Sequence, residues 1–122
     1  MDIIISNSSD KPIYEQITIQ IKNLIMSGVL KEDDPLPSMR LLAKELHISV
    51  ITTKRAYEDL ERDGFIVTLV GKGSFVRETD TRLVREEQLK KIEGYLSQAI
   101  DIACQSNISK AEIEDILNVL YE

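Results

Sequence analysis

Cysteine, histidine, proline and glycine are all scarce in this 122-residue chain, and each scarcity closes off a class of protein. The single cysteine, Cys104, excludes an internal disulfide framework and a cysteine-rich zinc site. One histidine, His47, is too little for a histidine-based metal centre or a Ser/His relay. With 5 Gly, 3 Pro and no tract of biased composition, fibrous and disordered classes fall away. Apolar runs are short as well: Ile3-Ile4-Ile5 is far from the roughly 20 residues of a membrane span. The acidic start at Asp2 is unlike the basic opening of a signal peptide. The expectation is a cytoplasmic protein with no membrane partner, no metal and no cofactor. What the chain does have, 43% hydrophobic and 30% charged residues, suits a small soluble domain with a short appendage.

The net charge of −6 argues at first against nucleic acid, because phosphate binding needs local positive charge. The distribution matters more than the sum. Residues 37–77 hold seven bases against five acids, whereas residues 79–122 hold five bases against nine acids. The middle of the chain is mildly basic and the tail acidic.

Apolar spacing predicts a first helix from near Pro12, whose fixed φ suits a first helical position. Its buried stripe is Ile17, Ile21, Leu24 and Ile25, and Ser27-Gly28 stops it. Residues 31–37 read as a loop. Ser38 is placed to cap a short second helix running through Leu46, with Leu41, Leu42 and Leu46 inward. His47 falls where a tight turn needs a left-handed residue, which histidine tolerates better than most. Ser49 then caps a third helix to about Asp63, with Thr53, Ala56, Tyr57 and Leu60 on its inner side. The β-branched and aromatic run 65–70, the break Gly71-Lys72-Gly73 and the resumption at 74–77 predict a hairpin. No internal repeat is evident.

The polar stretch 78–82 separates this unit from a tail of two amphipathic helices. Leu89, Ile92, Leu96, Ala99 and Ala103 mark the first, and residues 104–107 break it. Ser109 and Glu112 form a capping box for the second, whose stripe is Ile113, Ile116, Leu117 and Leu120. The expected fold class is therefore mainly α with a small β-hairpin (α+β). A winged helix-turn-helix over residues 1–78 is followed by a helical dimerisation and effector tail over 79–122.

The third helix of such a unit is narrow enough to enter the major groove of duplex DNA, where its first turns reach base edges. Its outward side carries Ile51, Arg55 and Arg62, flanked by Thr52 and Lys54. Ser49 and Thr52 offer hydrogen bonds, Lys54 and Arg55 offer charge, and Val50 with Ile51 offers apolar contact to thymine methyl groups. An ordinary solvated helix face would account for Lys54 and Arg55 equally well. Exposed Val50 and Ile51 are harder to dismiss, because desolvated apolar groups at a polar helix start need a partner.

These residues also carry a resemblance. Leu36-Pro37-Ser38-Met39-Arg40-Leu41-Leu42-Ala43, Ile48-Ser49, Thr52, Ala56-Tyr57, Leu60-Glu61, Gly64-Phe65-Ile66 and Gly71-Lys72-Gly73-Ser74-Phe75-Val76 resemble, in order and spacing, the GntR family of bacterial transcription regulators. Lys11-Pro12-Ile13-Tyr14-Glu15-Gln16-Ile17 is similar to that family's opening helix, and the short tail resembles the YtrA-like subfamily, mostly dimeric repressors often of transporter operons. The resemblance implies DNA contacts from Ser38 and Arg40 of the Leu-Pro-Ser-x-Arg motif and from Ser49, Val50, Ile51, Thr52 and Lys54. It implies a hairpin tip in the minor groove, made of Val70, Gly71, Lys72 and Gly73. Val50 departs from relatives that carry a base-reading arginine there, and His47 replaces a common glycine.

Two tail helices are too few to bury their stripes on each other. Leu89, Ile92 and Leu96, with Ile113, Ile116, Leu117 and Leu120, are therefore expected to pair two copies. The expected function is a homodimeric, sequence-specific DNA-binding regulator, a repressor that occludes a promoter, with no enzymatic activity. Its partners are double-stranded DNA with a two-fold operator and a second copy of itself, with room for a small-molecule effector of unknown identity. The alternative is a winged-helix protein-interaction module without DNA binding.

Overall fold

The computed structural model describes residues 1–122, which divide into two compact units, Met1–Asp80 and Thr81–Glu122. In the first unit, α1 (Ile13–Met26) starts one residue later than its proline suggests. Pro12 has an extended ψ of 151°, so it stands outside the helix, and its carbonyl accepts hydrogen bonds from the Glu15 and Gln16 amides. Ile17, Ile21 and Ile25 are buried and Leu24 is half-buried. Gln16 and Gln20, one turn apart on α1, hold the extended N-terminal stretch alongside. Each side-chain amide both donates to and accepts from one backbone unit, Gln20 at Ile4 and Gln16 at Ser6.

The second helix, α2 (Met39–Leu46), is capped by Ser38, whose Oγ accepts from the Leu41 amide. Leu42 and Ala43 are buried, but Leu41 is 47% exposed, which corrects its expected place on the inner side. Successive helical residues lie about 100° apart, so an arc centred on Leu42, Ala43 and Leu46 leaves Leu41 on nearly the opposite side. His47 has φ 56° and ψ 45°, the left-handed cap its position requires. Ser49 opens α3 (Val50–Arg62), accepting from the Thr52 amide. All four residues of the expected inner stripe, Thr53, Ala56, Tyr57 and Leu60, are buried. The first unit's core is this stripe together with the α1 isoleucines, Leu42, Ile66 and Val76.

The hairpin pairs β1 (Ile66–Leu69) with β2 (Gly73–Val76) antiparallel, from Ile66 opposite Val76 to Leu69 opposite Gly73. Its tip is Val70, Gly71 and Lys72. Gly71 at φ 76° and Gly73 at φ 105° occupy backbone conformations that side chains disfavour. The preceding loop is less free than its composition suggests. The Asp33 amide donates to the Val76 carbonyl, the Val76 amide to the Asp34 carbonyl and the Leu36 amide to the Ser74 carbonyl, with Pro35 bridging Phe75. The loop thus lies along the outer edge of β2 and fixes the base of the hairpin.

In the second unit, α4 (Thr81–Gln105) begins inside the stretch expected to be a linker, and α5 (Lys110–Leu120) follows. The Ser109–Glu112 capping box is present in both directions. The turn before it repeats the turn between α2 and α3. In each, an alanine carbonyl (Ala43, Ala103) accepts from an isoleucine amide five residues on (Ile48, Ile108), across a left-handed residue (His47, Asn107 at φ 60°), and a capping serine follows. Of the residues in α4 and α5, only Ala103 is buried. No helix is long and apolar enough to cross a membrane.

Candidate nucleic-acid interface

Three features of the first unit present the candidate DNA-binding residues: the start of α2, the start of α3 and the hairpin tip. The inner face of α3 controls the first of them. Tyr57 Oη donates to the Pro37 carbonyl at 2.7 Å, and Thr53 Oγ1 donates to the Met39 and Val50 carbonyls, each at 2.9 Å. The backbone of residues 37–39 is therefore tied to the buried side of α3. Arg40 is the next residue, so its backbone is held relative to α3. Burial pushes the Tyr57 phenol well above its ordinary range and the Glu45 carboxylate adds to the shift, so the hydroxyl stays a donor at any pH the protein meets.

At the leading edge of α3, Ile51 is 81% exposed and Val50 43% exposed. Ser49 and Thr52 spend part of their capacity locally: their hydroxyls lie 2.9 Å apart, and Ser49 Oγ also accepts from the Thr52 amide. Ser38 likewise serves as a cap. Lys54 reaches Glu58 one turn on at 4.0 Å, and Arg62 pairs with Asp59 at 2.9 Å and Asp63 at 3.6 Å. Lys22 of α1 also reaches Asp63 at 2.9 Å, and this hydrogen bond holds the Asp63 carboxyl below its usual range. Arg62 is thereby committed to the far end of the helix.

Arg40, Lys72 and Arg77 take part in none of the ion pairs. Val70 at the hairpin tip is fully exposed, beside Gly71 and Lys72. Arg55 is placed differently from the expectation of a cation reaching straight outward. Its guanidinium lies over the Tyr14 ring of α1, 3.8 Å from the centroid, and donates to Tyr14 Oη at 3.1 Å. Tyr14 lies in the opening segment Lys11–Ile17, and no local pattern links it to a residue 41 positions away. No cluster of three or more His, Cys, Asp or Glu side chains is placed to hold a metal ion.

The tail stripes are exposed on both helices. Leu89, Ile92 and Leu96 line one groove along α4, joined by Ile100. Ile116, Leu117 and Leu120 are exposed on α5, while Ile113 is half-buried in a cleft with Ile100, Ala103 and Cys104. Tyr95 (72% exposed) and Ile102 widen the apolar arc of α4.

Comparison with known proteins places this arrangement. Residues 13–76 match the family described as bacterial regulatory proteins, gntR family. The chain is 40% identical over 92 residues to the HTH-type transcriptional repressor YtrA of Bacillus subtilis (strain 168), covering 75% of this chain and 71% of that protein. Several other matched regulators are longer, and the chain spans 30% or less of their length. Among solved structures, a YtrA from Sulfolobus acidocaldarius, a GntR-family transcription factor, superposes with a TM-score of 0.63. It shows 36% identity over 75% of this chain and 97% of that one. The DNA-binding domain of AraR in complex with operator ORE1 matches 62% of this chain and 93% of its own, at 25% identity and a TM-score of 0.53.

Proposed function

The chain belongs to the gntR family of bacterial regulatory proteins, and on that premise we propose that it is a homodimeric repressor that reads a two-fold operator and occludes a promoter. It carries the winged-helix DNA-binding fold of a transcription regulator. The observation that carries the finer reading is the leading edge of α3. Two apolar side chains, Val50 and Ile51, stand exposed there, and Arg40, a cation without an ion-pair partner, follows a backbone stretch anchored to the same helix. An apolar pair in water at a helix start is costly to keep, and thymine methyl groups in the major groove give it a partner. The division of labour follows: residues 1–78 bind DNA through Ser38, Arg40, the start of α3 and the hairpin tip, and residues 79–122 join two copies. The name of the B. subtilis relative supports the sign of regulation, and a transporter operon is the proposed target. The cytoplasm is the proposed location, and a small effector acts only by favouring a dimer geometry that misfits the operator.

A gel-shift titration against duplex DNA from the chain's own upstream region tests this. The wild-type chain should bind in a strongly salt-dependent manner, and Arg40→Ala and Lys54→Ala should each weaken binding about tenfold or more. No binding even at low salt would overturn the reading in favour of a protein-interaction module.

A further inference from the structure

We propose that Tyr14 and Arg55 form a phosphate-binding pair at the α1 edge of the DNA interface, in which Tyr14 both orients the guanidinium and donates its own hydroxyl. The inference rests on the DNA-binding reading above and extends it to a residue of α1.

Lys54, Arg55 and Arg62 are the three bases of α3, and Arg55 alone has no carboxylate within 4.0 Å. Its partner is an aromatic ring. Stacked 3.8 Å over the Tyr14 centroid, the guanidinium keeps its full charge and loses much of its rotameric freedom before any ligand arrives. Of its five N–H donors, the only one engaged by a hydrogen bond is that given to Tyr14 Oη at 3.1 Å. Because the Tyr14 oxygen accepts that bond, its own proton remains available. The free edge of the guanidinium and the Tyr14 hydroxyl proton are therefore donors held side by side. An oxyanion with several acceptor oxygens suits such a pair, and on a duplex that group is the backbone phosphate.

The placement fits a helix lying in a groove. Arg55 is held on the α1 side of α3, while residues 37–39, and with them Arg40, are held on the α2 side through Thr53 and Tyr57. Cations on both flanks of an inserted helix can each face one of the two strands bordering the groove. Ile51 and Val50 lie between them at the leading edge.

The test uses the full-length chain and a fluorescently labelled duplex from its own upstream region, with affinity measured across a range of salt. Arg55→Ala should lower affinity about tenfold and reduce the slope of log K against log salt by about one, the signature of one lost phosphate contact. Tyr14→Leu should reproduce most of that loss, and Tyr14→Phe, which keeps the ring but not the hydroxyl, should fall between. The Tyr14→Leu/Arg55→Ala double variant should lose less than the sum of the two single losses, because the two residues act as one unit. Tyr14→Phe guards against a folding defect, since it leaves the packing in place. If Arg55→Ala and Tyr14→Phe keep the wild-type affinity and slope while Arg40→Ala loses binding, the phosphate pair is overturned and the DNA reading stands. If the wild-type chain does not bind, both are overturned.

Discussion

Leu96→Glu is expected to convert the protein into monomers and to weaken operator binding by about 10²–10⁴-fold. Leu96 sits in the α4 groove with Leu89 and Ile92, and α4 and α5 together bury only Ala103. Apolar burial contributes about 25 cal/mol per Å², so an apolar arc this wide gains most by meeting its copy. A glutamate at its centre brings an unpaired carboxylate from each copy into that contact, where desolvation costs several kcal/mol per charge. The DNA effect follows from geometry and not from any lost base contact. In the proposed dimer, two linked heads would make the second half-site an intramolecular step, with half-sites about 10 bp or a multiple apart. Sedimentation analysis should give 13.9 kDa for the variant and twice that for the wild type. A Leu96→Glu chain that remains dimeric, or that binds the operator undiminished, would remove the tail from the proposed mechanism.

The second large effect is at Tyr57. Tyr57→Ala should cost about 3–5 kcal/mol, a large share of the 5–15 kcal/mol that typical small domains possess. The side chain is 1% exposed, so its removal leaves a cavity between the helices. It also leaves the Pro37 carbonyl without its donor. Tyr57→Phe separates these contributions, because it keeps the packing and removes only the hydrogen bond, at roughly 1 kcal/mol. The pH dependence carries a further sign. A phenol pushed up by burial binds its proton more tightly in the folded state than in the unfolded state. Its contribution is therefore complete below the ordinary tyrosine pKa of about 10 and fades as pH rises above it. Thermal melts should show the wild type losing stability in that alkaline range more steeply than Tyr57→Phe. Equal alkaline losses in the two proteins would mean that the buried phenol is not the group responsible.

How much of this was legible in the sequence depends on how local each determinant is. The Ser38, Ser49 and Ser109 caps, the left-handed His47 and the α3 stripe follow from chemistry within a few residues, and the structure has them where the sequence indicates. Leu41 was misplaced because two adjacent leucines in an eight-residue helix give periodicity too little length to choose between them. The pairing of residues 33–36 with β2 was invisible because it joins segments about 40 positions apart through backbone groups that carry no sequence signal. The same holds at the interface. That Val50 and Ile51 stand on the outer side of α3 follows from the helix pattern, whereas the turn of Arg55 onto Tyr14 depends on how α1 packs against α3. The start of α4 at Thr81 lies two residues inside the polar stretch because Thr81 and Arg82 carry no apolar signal, which begins only at Leu83.

The decisive measurement is an amide chemical-shift titration of the isotopically labelled full-length chain with a 20-bp duplex from its own upstream region. The largest shifts should fall at Arg40, at Val50, Ile51 and Thr52, and at Gly71 and Lys72, with little change at the C-terminal end of α1. Shifts concentrated on α5 or on the α1 C-terminus, with the start of α3 unmoved at saturating DNA, would contradict the insertion of that helix into the groove.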